Sequence, residues 1–201
     1  MLEQEIIRMI KEEALENHVP IIQDESLELL LTILDIAKPN KILEIGTAVG
    51  YSAICFSKYL SGKEAKIKTI EKNEEMYQKA IQNIQKLHLE DKIEVIHDDA
   101  TVYLEGLKED NTYDVIFIDA AKGQYLKFLK EAIRLAKVGG IIIADNVLFK
   151  GRVLSDYNEH KHRTATNRLR TYLKMIEEDE RLHSTLVKIG DGIAISIVQN
   201  K

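Results

Sequence analysis

Residues 113 to 146 read "YDVIFIDAAKGQYLKFLKEAIRLAKVGGIIIADN". Two short apolar runs, "YDVIFIDAA" and "GGIIIADN", flank an amphipathic stretch, "QYLKFLKEAIRLAK", that is too long for a strand and reads as a helix. A strand, a crossover helix and a second strand pair in parallel. Each of the two strands runs out at an aspartate, Asp119 and Asp145. Working outward, the same alternation recurs upstream. "KILEIG" at 41, "KIKTIE" at 66 and "KIEVIHDDA" at 92 read as strands, and "YSAICFSKYL" and "NEEMYQKAIQNIQKLHL" as helices. Five such cycles predict a parallel sheet with helices on both faces.

The two ends of the chain differ in rhythm. In the first 40 residues Ile6, Ile10 and Ala14, then Leu27, Leu30, Leu31 and Leu34, recur at helical spacing, and Pro39 ends that pattern. Near the other end a helix around "RTATNRLRTYLKMIEEDE" precedes "STLVKIG" and "GIAISIVQ", joined at Gly190, Asp191 and Gly192, which is a β-hairpin signal. The expected architecture is α/β and Rossmann-like: a seven-stranded, mostly parallel sheet with N-terminal helices and a C-terminal antiparallel hairpin. A chain of 201 residues, 45% hydrophobic and 30% charged, suits a single domain over 1–201.

Composition narrows the setting. The lone cysteine, Cys55, forms no internal disulfide, the start "MLEQEII" has no basic segment before an apolar one, and no apolar run reaches membrane-spanning length. A cytoplasmic protein without a membrane partner is expected. The formal net charge of -5 opposes wholesale attraction to nucleic acid but leaves room for a local basic patch. The amphipathic stretch from Leu2 to Leu15 has two readings, a homodimer interface or packing on its own sheet.

Open parallel sheets bind ligands beyond the carboxyl ends of their strands. After the first strand comes "LEIGTAVGYSA". Gly46 permits a tight turn, and Gly50 would let a ligand approach the backbone at the start of a helix near Tyr51 or Ser52. The spacing is E-x-G-x-x-x-G, with Glu44 where a pyrophosphate would be repelled. Glu71, 21 residues past Gly50, sits where a carboxylate takes both hydroxyls of a ribose. Asp99 and Ala100 follow the third strand and could flank an adenine. An acid facing an amine or sulfonium, a ribose acid and an adenine pocket without phosphate groups describe S-adenosylmethionine better than NAD or ATP. Candidate cofactor residues are Glu44, Gly46, Thr47, Gly50, Tyr51 and Ser52 on the first loop, with Glu71, Asp99, Ala100 and Asp119 on later ones.

Asp145 and Asn146 could be two turn-forming residues after a strand. Alternatively, Asp119 and Asp145 are neighbours roughly 5 Å apart across the ladder. Asp, Asp and Asn then make an all-oxygen set for magnesium or another hard divalent cation. Lys122 reads either as a solvated lysine at a helix start or as a base, since a lysine beside a bound cation gives up its proton more readily. Residues 150 to 170, "KGRVLSDYNEHKHRTATNRLR", hold six basic residues against two acids, a local +4. This lip, including Lys150, Arg152, Arg163 and Arg168, is either a solvated helix start or a phosphate-binding surface. His160 and His162 read as surface residues, and Tyr157 as a loop residue able to stack on a base.

"EIGTAVGYSA", "FIDAAKGQY" and "ADNVLFKG", in this order and spacing, resemble the metal-dependent O-methyltransferases related to the catechol and caffeoyl-CoA enzymes. The resemblance implies Asp119, Asp145 and Asn146 as metal ligands, Lys122 as the catalytic lysine, and cofactor contacts at Glu44, Gly46, Tyr51, Ser52, Glu71 and Ala100. "DAAKGQY", "DNVLFKG" and "NRLR" are most similar to the bacterial tRNA 5-hydroxyuridine methyltransferases, which implies tRNA as substrate. A 5-hydroxyl beside O4 of uridine is a chelating oxygen pair much like catechol's, and an unstacked base can present it. Catechol enzymes frame their substrate with tryptophan, and this chain has none. Two other readings stay open: an O-methyltransferase of small catechol-like or caffeoyl-type phenols, and a cofactor-binding module without chemistry.

Overall fold

The computed structural model describes residues 3–62, 64–155 and 160–201. Leu2, Asp156, Tyr157 and Glu159 lie outside them. The seven strands belong to one mixed sheet, and the chain divides into two compact units, the first ending at Ala100 and the second starting at Thr101.

The first unit contains α1 (Glu3–Glu16), α2 (Asp24–Ala37), β1 (Lys41–Ile45), α3 (Tyr51–Tyr59), β2 (Lys66–Glu71), α4 (Glu74–Lys86) and β3 (Ile93–His97). Its strands lie in the order β3-β2-β1, all parallel. Ile42, Leu43, Glu44 and Ile45 of β1 are wholly inaccessible, the mark of a strand covered on both faces. The register sets Glu44 beside Thr69, and Glu71 beside His97. Helix ends follow local chemistry. Asn73 accepts from the Met76 amide at 3.0 Å to cap α4, while Lys38, left-handed at φ 47°, returns its amide to Leu34 before Pro39 and stops α2. Helix α1 buries Ile10 and Ala14 and is tied to its own unit by Glu3–Lys58, Lys11–Asp24 and Glu13–Lys79 ion pairs. Met9 and Leu15 on its outer side are exposed.

The second unit contains α5 (Ala100–Gly106), whose first residue closes the preceding unit, then β4 (Tyr113–Ile118), α6 (Tyr125–Leu135), β5 (Ala136–Ala144), α7 (Arg163–Glu178), β6 (Leu182–Val187) and β7 (Ile193–Val198). Single 3-10 turns at Lys122–Gln124 and His160–His162 precede α6 and α7. The order is β4-β5-β7-β6. β4 and β5 are parallel, and β7 runs antiparallel to both β5 and β6. The expected terminal hairpin is therefore present, but β5 starts at Ala136, three residues before the stretch "GGIIIADN" at 139. Ala136 already pairs with Tyr113, and the register then shifts. Gly139 has φ +81°, and a Cβ on Gly140 would lie 2.8 Å from the Lys137 carbonyl. Both glycines lie in this irregularity, where β5 advances from Ala136 to Ile141 while β4 advances only from Tyr113 to Val115.

No described helix is long and apolar enough to cross a membrane.

Candidate active site

In the first unit the chemistry gathers on the loop after β1 and the end of β2. Glu44 is fully inaccessible. Its Oε1 accepts from the Ser52 hydroxyl at 2.6 Å, and its Oε2 from the Thr69 hydroxyl at 2.5 Å. Thr47 and Thr69 share a further hydroxyl contact of 2.6 Å. The turn itself needs left-handed backbone at Gly46, Ala48 and Gly50, a conformation that glycine adopts without strain and alanine does not. The room made by the missing Gly50 side chain faces Ala80 of α4, whose Cβ would be 3.4 Å from an added one. Gly50 therefore also lets α4 approach the loop. Asn83, also fully buried, donates to the Val49 carbonyl at 3.0 Å and holds the same loop from behind.

Glu71 closes β2. Its Oε2 accepts from the Ala48 amide at 2.9 Å and its Oε1 from the Asn73 amide at 2.8 Å, so the carboxylate is fixed while each oxygen keeps a lone pair for a further donor such as a diol. Asp98 accepts from the Asp99 amide at 2.7 Å, and Ala100 opens α5, both half-buried at most. Tyr51 is buried at the start of α3. Burial, then the neighbouring Cys55, raises its hydroxyl well above the usual range, so it stays a neutral donor. Burial likewise pushes the Cys55 thiol up to about 11, which leaves it unreactive at neutral pH.

In the second unit Asp119 and Asp145 follow paired residues, Ile118 and Ala144, of parallel neighbours. The Asp145 amide donates to the Ile118 carbonyl at 3.0 Å. The Asp145 side chain is wholly inaccessible. Its Oδ1 accepts from the Asn146 amide at 2.7 Å, while Oδ2 has no hydrogen-bond partner. Burial, then repulsion from Asp119, pushes this carboxyl up to about 6. Asp119 is raised too, by burial, with Lys122 opposing. The Lys122 ammonium donates to Asn146 Oδ1 at 2.8 Å and lies 3.8 Å from Asp119 Oδ1. Asn146 adopts φ 54°, and its side-chain carbonyl meets the Lys122 ammonium. Two carboxylates, one with an orphaned buried oxygen, and an amide carbonyl thus converge around a single positive group.

Among the described residues no group of three or more His, Cys, Asp or Glu gathers as a metal site. The set here is two carboxylates and an amide. Its donor chemistry, its repulsion and the orphaned Asp145 oxygen fit a hard divalent cation, which prefers oxygen ligands.

Tyr125 was not singled out from the sequence. Its buried hydroxyl donates to the Asp145 carbonyl at 2.7 Å and lies 3.5 Å from the Ile118 carbonyl, bridging the two strand tips. Its ring meets Tyr172 edge-on at 5.6 Å. Thr69 was missed as well. Tyr125 reads as one more apolar position on an amphipathic helix. Thr69 carries a weak signal, a hydroxyl in the middle of an otherwise apolar strand.

The basic lip separates into two kinds of residue. Arg170 donates to the Val153 carbonyl at 3.0 Å and also to that of Ser155. Arg152 lies over the Phe149 ring at 5.1 Å. Both therefore brace the segment after β5. Lys150, Arg163 and Arg168 are exposed. His162 is half-buried, edge-on to Phe149 at 5.5 Å, and His160 is exposed. The turn of the terminal hairpin supports this segment: Val147 and Leu148 donate to the Gly192 and Asp191 carbonyls at 3.0 and 2.9 Å.

Known proteins place this arrangement. A family model described as O-methyltransferase matches residues 2–199, spanning both units. The chain is 30% identical to the flavonoid 3',5'-methyltransferase of Vitis vinifera over 96% of its own length and 86% of that protein's. It is 32% identical to caffeoyl-CoA O-methyltransferase 2 of Populus trichocarpa, over 84% and 70%. A crystal structure of a candidate caffeoyl-CoA O-methyltransferase from Staphylococcus aureus superposes with a TM-score of 0.88 at 34% identity, covering 96% of this chain and 91% of that one. The Bacillus cereus O-methyltransferase in complex with SAH gives 0.84 at 25% identity, covering 96% and 90%. With its seven-stranded mixed sheet, Rossmann-like architecture and full-length match, the chain belongs to the O-methyltransferase family.

Proposed function

We propose that this chain transfers a methyl group from S-adenosylmethionine to one hydroxyl of a vicinal oxygen pair on a phenolic acceptor, with a divalent cation such as Mg2+. The observation that carries this reading is the convergence of Asp119, Asp145 and Asn146 beside Lys122, with Asp145 Oδ2 buried and unpartnered. The donor reading draws further support from the relative crystallised with SAH, and the phenol reading from the flavonoid and caffeoyl-CoA relatives.

When bound, the donor supplies an electrophilic methyl, and the cation polarises the acceptor hydroxyl. The chain's own residues do the rest. Asp119, Asp145 and Asn146 would hold the cation, and Tyr125 keeps the Asp145 backbone in place. Lys122 would take the hydroxyl proton at Nζ once its ammonium, which donates to Asn146 Oδ1, has given up a proton to solvent. Glu71 would offer its two fixed oxygens to the ribose hydroxyls. Glu44 would face the amino-acid end of the donor.

A second reading has one observation in its favour. Lys150, Arg163 and Arg168 are exposed on the segment that follows Asn146, as an RNA phosphate backbone requires. On this reading the acceptor pair belongs to 5-hydroxyuridine of a tRNA.

One experiment tests both. Isotope-labelled methyl transfer is followed from S-adenosylmethionine to a caffeoyl-type or catechol acceptor and to tRNA lacking the modification, each with Mg2+ and with EDTA. Transfer to the phenol that EDTA abolishes supports the first reading, and transfer to tRNA alone supports the second. Transfer at full rate in EDTA contradicts the metal assignment in either case.

A further inference from the structure

We propose that Thr69 is a positioning residue for the methyl-donor site, acting through Glu44, with Thr47 extending the same relay. This rests on the reading above in which Glu44 faces the donor's amino-acid end.

The direction of the protons follows from counting them. Thr69 has one hydroxyl proton and donates it to Glu44 Oε2 at 2.5 Å. In the 2.6 Å contact between the two threonines, Thr47 must then be the donor. Ser52 gives its proton to Oε1 at 2.6 Å. Three hydroxyl protons thus point toward one carboxylate along two paths, from Thr47 through Thr69 to Oε2 and from Ser52 to Oε1. Both Glu44 oxygens are held by different elements, α3 and β2, so the carboxylate plane is fixed.

Position argues that the Thr69 hydroxyl serves this purpose. The residue is fully buried in β2, directly opposite Glu44 in the parallel register. Valine is nearly isosteric and suits such a strand at least as well, whereas a buried hydroxyl is unfavourable unless it is bonded. Here the bond is made to the acid. Through Thr47 the same hydroxyl also ties β2 to the loop between Gly46 and Gly50.

The test measures calorimetric affinities for S-adenosylhomocysteine and for 5'-methylthioadenosine, which has the nucleoside but no amino-acid end. Thr69→Val is expected to weaken S-adenosylhomocysteine about tenfold while leaving methylthioadenosine unchanged, and Thr69→Ser restores the wild-type value. Glu44→Gln is measured alongside and is expected to weaken S-adenosylhomocysteine as well. If Glu44→Gln weakens it and Thr69→Val does not, the relay is wrong and the reading of Glu44 stands. If neither changes it, that reading fails and this inference falls with it. Equal weakening of both ligands by Thr69→Val also overturns the proposal, because the substitution then acts through the fold. Should Thr69→Val not fold, Thr47→Val, which removes only the outer hydroxyl, is expected to weaken S-adenosylhomocysteine selectively by about threefold. No selective loss in that variant overturns the proposal.

Discussion

Replacing Asp145 by asparagine should make the metal-free protein more stable at pH 8, although it destroys the proposed site. In the folded chain this carboxyl titrates near 6, against 3.8 for the ordinary group, because it is buried beside Asp119. A folded value above the unfolded one means that stability is fullest below pH 4 and declines as the pH rises through 6. The difference of about 2 units corresponds to about 3 kcal/mol once both states are ionised. Asparagine removes that charge at nearly equal volume. Its carbonyl can still accept from the Asn146 amide, the 2.7 Å contact of the native residue, and its amide can donate toward Asp119 where Oδ2 now has no partner. In a domain of this size about 3 kcal/mol raises the melting temperature by roughly 6–12 °C. The assay is thermal unfolding of both proteins in EDTA at pH 4 and pH 8, repeated at pH 8 with Mg2+. The variant should match the wild type at pH 4, exceed it at pH 8, and lose its advantage when Mg2+ stabilises only the wild type. An Asp145→Asn protein that melts below the wild type in EDTA at pH 8 would refute the reasoning.

Three other substitutions probe separate parts of the account. Lys122→Met should lower kcat by about 10²–10⁴ and leave the affinity for S-adenosylhomocysteine unchanged, which turnover measurements and calorimetry check together. Gly192→Ala should destabilise the fold by about 1–3 kcal/mol in urea unfolding, because the new Cβ would lie 2.4 Å from Leu148 Cγ at a backbone φ of +82°. Substituting Arg163 and Arg168 together by alanine should weaken tRNA binding and flatten its salt dependence if RNA is the acceptor. Filter binding across salt concentrations reads this, and transfer to a phenol should not change.

Much of this fold is legible in the sequence because its strands are short apolar runs with polar ends. "KIKTIE" is β2 residue for residue, and the glycines at 190 and 192 flank the terminal hairpin turn. Strand ends also disclose Asp119 and Asp145, since beyond the last apolar residue of a parallel strand lies the ligand-binding edge. Other features depend on three dimensions. The start of β5 at Ala136 was hidden because "RLAK" continues the helical pattern of α6, and only the irregularity at Gly139 and Gly140 allows a strand to begin there. Ala100 reads as the tail of "KIEVIHDDA" yet opens a helix. Gly50 has a packing role that the sequence does not disclose, since its missing side chain makes room for Ala80, 30 residues later in the chain. Thr69 and Tyr125 gain their roles only from the strand register and from the packing of α6 under the strand tips. The basic lip illustrates the same limit: composition counts Arg152 and Arg170 with their neighbours, and only the fold shows them bracing carbonyls and a phenyl ring.

The central claim is a divalent cation held by Asp119, Asp145 and Asn146. Anomalous diffraction from crystals soaked in Mn2+ tests it most directly. The account predicts a peak bounded by oxygens of all three side chains, with the Lys122 ammonium moved off Asn146 Oδ1, to which it now donates at 2.8 Å. A map with no peak there, and Lys122 still bonded to Asn146 at saturating Mn2+, would contradict it.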